Sequence, residues 1–147
     1  MPDLVREIVI DATPETIWPL LTTTEGWLRW EGTEGEVDAR PGGVYEVLVA
    51  GGYQSRGEFV EVVPHERVVL TFGWEMEGNP ITPGSTRIEI TLAPEGTKTL
   101  LRLAHLGLPD DNAVAEHIHG WDHYLGRLAA VAAGEEVEPD TGPGQPA

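Results

Sequence analysis

Residues 112–133 read NAVAEHIHGWDHYLGRLAAVAA, and this stretch decides the fold. Its apolar residues Val114, Ile118, Trp121, Leu125, Leu128 and Ala132 recur at intervals of 4, 3, 4, 3 and 4. That spacing sets all six on one face of an α-helix. A helix of about 20 residues is roughly 30 Å long, enough to cross a small sheet. Gly134 suits the residue that ends such a helix, and Asp111 or Asn112 suits its amino-terminal cap. One long helix laid across a curved sheet can leave a hollow between them. That hollow is the main functional clue the residues offer.

Upstream, residues 34–106 have β texture. Candidate strands are 5–10, 36–39, 44–50, 54–63, 67–74, 85–92 and 99–105, separated by Gly-, Pro- and Asn-rich turns. Thr86, Ile88, Ile90 and Leu92 alternate with Arg87, Glu89 and Thr91, the pattern of a strand with one wet face. The gaps are too short for helical crossovers, so the strands pair antiparallel. Between the first two strands, Thr13 is a natural cap and Pro14 a natural first residue of a helix carrying Ile17, Trp18, Leu20 and Leu21. Pro19 is expected to shorten or bend it. Thr23 or Thr24 then caps a second short helix with Trp27, Leu28 and Trp30. The reading is α+β: a curved antiparallel sheet wrapped around a long carboxy-terminal helix, with two short helices after strand one. Residues 1–134 form the domain. Residues 135–147, rich in Pro, Gly and acids and without a base, read as a disordered tail.

Twenty-five acids against 9 bases give a net charge of −16. Such a field repels phosphate backbones and anionic bilayers, which speaks against nucleic-acid binding and membrane docking. With no cysteine, disulfides, thiolate nucleophiles and Cys-based metal centres are excluded. No apolar run approaches 18 residues, so no membrane insertion is expected. The first residues lack the apolar core of a signal peptide, which makes the cytoplasm the expected location.

The residues also carry a resemblance. Thr13-Pro14-Glu15-Thr16-Ile17-Trp18 resembles the opening motif of the START-like, or SRPBCC, superfamily. Trp30, Val37-Asp38, the run 40–45 (RPGGVY), the strand pair in 57–72, 99–107, His117, Gly120-Trp121 and Leu125 resemble its Hsp90-ATPase-activator-homologue group. The resemblance spans about residues 4–134 and implies the helix-grip fold. Members of the superfamily include lipid carriers, polyketide cyclases and hormone binders, so it implies a cavity more than a reaction.

The aromatic and histidine side chains Trp27, Trp30, Tyr45, Phe59, Phe72, Trp74, His105, His117, Trp121 and Tyr124 are the candidates to line that cavity. Trp27 and Trp30 would form an aromatic lid at its mouth. His105 and His117 are the weak catalytic candidates, as acid or base near neutral pH. The alternative for each is a buried histidine satisfied by a backbone carbonyl. Gln54, Arg56 and Glu58 share one side of a strand, and Tyr53, Gly57 and Phe59 the other. Either set can face the concave side. His119 and His123 share a helical face, but a metal site would need a third ligand such as Glu116 or Asp122 and no HExxH pattern is present, so no metal is assigned. No nucleophile triad or phosphate loop stands out, and no cofactor is expected.

Three functions compete. The leading one is binding of a small hydrophobic molecule, a lipid, polyketide or aromatic metabolite. The second is a cyclase, dehydratase or hydrolase working in the same cavity. The third is a co-chaperone-like interaction module, with the acidic surface as support. Homodimerisation through an exposed edge or apolar patch stays open.

Overall fold

Turns rich in glycine and proline fold residues 3–143, those described by the computed structural model, into seven strands and three helices. In chain order these are β1 (Leu4–Ile10), α1 (Pro14–Thr22), α2 (Thr24–Trp27), β2 (Glu34–Val37), β3 (Val44–Val49), β4 (Tyr53–Val63), β5 (Arg67–Phe72), β6 (Thr86–Glu95), β7 (Lys98–Leu106) and α3 (Asp111–Ala132). The strands form one sheet in the order β1-β7-β6-β5-β4-β3-β2, and every adjacent pair is antiparallel. This is the expected helix-grip arrangement.

Period-2 patterning decides which face each strand buries. Tyr45, Val47 and Val49 point inward from β3, Ile88, Ile90 and Leu92 from β6, and Leu101, Leu103 and His105 from β7. β4 is the long strand that turns the sheet. Its first half pairs with β3 and its second with β5, and the register slips between Phe59 and Glu61. A bulge of this kind bends and twists a strand. At Gly57 a Cβ would lie 1.9 Å from the carbonyl oxygen of Thr71, so only glycine allows the two strands to approach there.

α3, 22 residues and roughly 33 Å long, runs along the concave side. Its buried residues include Trp121, Leu125, Leu128 and Ala132, as the periodicity requires, while Val114 and Ile118 pack half-buried at its amino-terminal end. The cap differs from the expectation. Asp110 holds that place, its carboxylate accepting from the Ala113 N–H at 2.8 Å, because the helix starts one residue earlier than the apolar pattern indicates. Gly134, at φ 86, follows the last turn as expected. α1 runs through Pro19 to Thr22. The hydroxyls of Thr22 and Thr23 tie off its end by donating to the carbonyls of Trp18 and Pro19.

Residues 135–143 belong to the segment expected as a disordered tail. They carry no helix or strand, yet they return along α3. Arg127 donates to the Glu138 carbonyl at 2.7 Å, and the Asp140 side chain is only 2% exposed. A carboxylate with several donors around it holds this segment, a feature that composition does not reveal. Residues 144–147 lie outside the described part. Among the described residues, no helix is long and apolar enough to cross a membrane.

Candidate functional site

Between the amino-terminal half of α3 and the β3–β5 side of the sheet lies a cavity of about 440 Å³. β3 and its turn into β4 supply Val49, Ala50, Gly51 and Tyr53. The end of β5 and the loop after it supply Phe72, Trp74 and Asn79. α3 supplies Glu116, His117, Gly120, Trp121 and Tyr124. Residues 141–143 edge it from the tail, and Glu31 enters from the turn after α2. At Gly120 the space beside the backbone is open, since a Cβ there meets nothing within 4 Å. The helix is thinned where it faces the hollow.

Of the ten residues expected to line a cavity, five do: Phe72, Trp74, His117, Trp121 and Tyr124. Trp27, Trp30, Tyr45, Phe59 and His105 do not. They are 0–1% exposed and form the packed core beneath the cavity. The rings of Trp27 and Trp30 lie 4.8 Å apart, and Tyr45 packs edge-on against Trp27 and Phe59. The expected tryptophan lid is therefore part of the floor. α2 is so short that its apolar residues must turn inward to be buried at all. On β4 the inward set is Ser55, Gly57 and Phe59, whereas Arg56 faces outward and pairs with Glu46 and Glu75.

Both candidate histidines are held neutral by complete hydrogen bonding. An indole N–H can only donate, so Trp121 fixes Nδ1 of His105 as the acceptor, at 3.1 Å. Nε2 of His105 then carries the proton towards Thr86 Oγ1 at 2.9 Å, and Thr86 donates onward to the Phe72 carbonyl at 2.8 Å. Burial, reinforced by His117, pushes the His105 pKa down to about 3. The same logic holds at His117. Trp74 donates to its Nε2 at 3.2 Å, so Nδ1 carries the proton to the Ala113 carbonyl at 2.8 Å. Burial lowers its pKa too, against opposing contributions from that carbonyl and Glu116.

Among the ionisable groups at the cavity, Glu31 is the buried acid, which the residues alone do not single out. It is 6% exposed. Trp27 donates to its Oε1 at 3.0 Å. Burial raises its pKa to about 7. The Trp27 hydrogen bond opposes that rise, and the charge of Asp140 adds to it. Behind it, Asp140 accepts from Tyr124 at 2.8 Å and from the Gly142 N–H at 2.8 Å. His123 and the Gly32 N–H approach it at 3.4 Å. Burial would raise the Asp140 pKa, but the Gly142, Tyr124, His123 and Gly32 contacts outweigh it, and the net shift is downward. Burial, and then the bond to Asp140, raises the Tyr124 phenol well above its ordinary range. His123 and His119, which share a helical face, meet the tail. His119 Nε2 lies 3.0 Å from the Pro143 carbonyl. Among the described residues no group of three ligating side chains could hold a metal ion.

A curved sheet gripping one long helix, with an aromatic cavity at one end of the grip, defines a START-like helix-grip domain. The chain belongs to the family described as Activator of Hsp90 ATPase homolog 1-like protein, whose family model matches residues 11–133. It is similar to an AHSA1-like protein from Rhizobium etli, with 47% identity over 94% of this chain and 86% of that one, at a TM-score of 0.74. A protein from Chromobacterium violaceum shows 30% identity over 89% of this chain and 96% of that one, at a TM-score of 0.76. Aha1 from Colwellia psychrerythraea, solved as a dimer, shares the fold at 21% identity over 90% and 97% of the two chains, with a TM-score of 0.78. No curated protein matches.

Proposed function

We propose that this chain is a cytoplasmic binding protein for a small hydrophobic molecule, held between α3 and the β3–β5 side of the sheet. The observation that carries the reading is the cavity: about 440 Å³, walled by Phe72, Trp74, Trp121 and Tyr124, with Glu31, Asn79, Glu116 and His117 as polar groups among them. Ligand pockets commonly span about 300–1,000 Å³ with this mix of apolar wall and sparse polar contacts. Binding is favoured over turnover because His105 and His117 already spend both ring nitrogens inside the protein. For either to move a proton to a ligand, an internal hydrogen bond must first break.

Native mass spectrometry of the intact protein, followed by denaturation and identification of whatever is released, tests the reading. An adduct of small-molecule mass is expected, and Gly120→Leu is expected to abolish it. Leucine at that position grows into open space, and replacing a helical glycine favours the helix by up to about 1 kcal/mol. Loss of the adduct should therefore come without loss of stability. A bare polypeptide mass, and no uptake from a panel of apolar aromatics, would contradict the reading and shift weight to a protein-interaction role.

A further inference from the structure

An apolar cavity needs a polar contact to orient its guest, and the buried one in this cavity is an acceptor; Tyr53, Asn79 and Thr141, which can also donate, are exposed or half-buried. The side-chain donors of the inner wall are spent within the protein. Trp27 donates to Glu31, Trp74 to His117, Trp121 to His105 and Tyr124 to Asp140. An acceptor remains. Only one oxygen of Glu31 receives a hydrogen bond among the described residues, and the side chain lines the cavity while being 6% exposed. The second oxygen is open to the cavity rather than sealed in the core, so it is placed to accept from a donor that enters there.

The charge balance points the same way. Glu31 and Glu116 line the cavity, and no lysine or arginine does. The guanidinium of Arg127 is turned to the carbonyls of Trp30 and Glu138. A carboxylate or phosphate head would enter against two acids with no counter-charge. A cation would meet a buried acid and the faces of several aromatic rings, which attract positive charge. The net charge of −16 adds long-range attraction for cations.

We propose that the cavity selects hydrophobic amines in their protonated form, with Glu31 as the buried counter-ion and Trp74, Trp121 and Tyr124 as the surrounding aromatic walls. This rests on the cavity being a ligand site, as read above. The proton equilibrium of Glu31 gives the proposal a pH signature. With its pKa near 7, the free protein gains a proton at Glu31 as the pH falls, and an arriving ammonium must displace that proton. Asp140 from the tail, Tyr45 from β3 and Tyr124 from α3 act on Glu31 electrostatically, His117 and Glu116 of α3 share its cavity, and Arg127 of α3 bonds to the neighbouring Trp30 carbonyl. Tyr45 and Tyr124 are held protonated by upward shifts, Asp140 ionised by a downward one and His117 neutral by a downward one.

The test uses three probes of one shape, 2-naphthylmethylamine, 2-naphthylmethanol and 2-naphthoate, titrated calorimetrically into the full chain. At about pH 8 the amine is expected to bind at least about tenfold more tightly than the naphthoate, with the alcohol between. Amine affinity is expected to fall by up to about tenfold for each pH unit below about 7, while alcohol affinity stays level. Glu31→Gln is expected to remove the preference for the amine over the alcohol and its pH dependence. Naphthoate binding as tightly as the amine in the unaltered protein, or an amine preference that survives Glu31→Gln, would overturn the proposal. The first of those outcomes needs no variant to fold. If the alcohol and naphthoate bind but the amine is not preferred, only the amine proposal fails. If none of the three binds, the ligand-site reading fails with it.

Discussion

At the scale of single residues, Glu31 and His105 act on the fold in opposite directions with pH. The Glu31 pKa rises from 4.5 unfolded to about 7 folded, so between those values the folded state holds the extra proton. Its contribution is therefore neutral below about pH 4.5 and becomes a full penalty above about 7. Glu31→Gln keeps an oxygen for the Trp27 N–H and removes the charge. It is expected to stabilise the protein at about pH 8 by on the order of 1–3 kcal/mol, with the gain vanishing below about pH 4.5. Denaturant melts of both proteins across that range check it. A residue that costs stability and faces a cavity is the usual mark of function. For His105 the folded pKa of about 3 lies below the unfolded 6.5, so its contribution is present above 6.5 and is lost as pH falls towards 3. His105→Ala would strand the Trp121 N–H and the Thr86 hydroxyl and open a void. An expected loss of about 3–5 kcal/mol, seen in the same melts, marks the residue as structural. The prominence of His105 in the sequence came from its residue type, and that says nothing of the hydrogen bonds that neutralise it. Glu31 was missed because its burial depends on where the turn after α2 lands. Its neighbour Asp140 comes from a segment 108 residues beyond Gly32.

At the scale of elements, α3 does two jobs on adjacent faces. The Trp121, Leu125, Leu128 and Ala132 stripe docks it, and the line through His117, Gly120 and Tyr124 walls the cavity. The docking face was readable because 3.6-residue periodicity survives any tertiary context. On the cavity face His117 and Tyr124 were named from the sequence as aromatic or histidine candidates, but the open space at Gly120 was not, since a glycine carries no such pattern. The strands were readable within a residue or two, apart from the extension of β6 to Glu95. The contacts of residues 135–143 were not legible, because composition says nothing of the Asp140 side chain that meets Tyr124, His123 and the Gly32 N–H. Asp140 holds that segment through Tyr124, His123 and the Gly32 N–H. Its depressed pKa means that this hold is present at neutral pH and weakens as acid protonates the carboxylate. Asp140→Asn is expected to cost about 1–3 kcal/mol. It should also speed amide hydrogen exchange across residues 135–143 and lower the Glu31 pKa by removing a neighbouring charge. Unchanged exchange in that segment would show that Asp140 does not anchor it.

At the scale of the whole molecule, the architecture was readable because its signals are redundant. A long amphipathic helix, short strands with close turns and the opening motif around Thr13-Pro14 all point to one fold. The hollow itself was inferred from that fold, but its walls depend on which aromatics the sheet curvature leaves uncovered. The five tryptophans sample that distinction. Trp74 and Trp121 line the cavity, Trp27 and Trp30 lie beneath it, and Trp18 packs against His65 elsewhere. Each indole N–H gives its own NMR signal, so the most direct measurement is a titration of the ¹⁵N-labelled protein with 2-naphthylmethylamine, following those five signals. The account predicts large shifts at Trp74 and Trp121, a smaller one at Trp27 through its bond to Glu31, and none at Trp18 or Trp30. Shifts confined to Trp18, uniform shifts at all five, or saturating binding that leaves Trp74 and Trp121 in place would contradict a ligand site between α3 and the sheet.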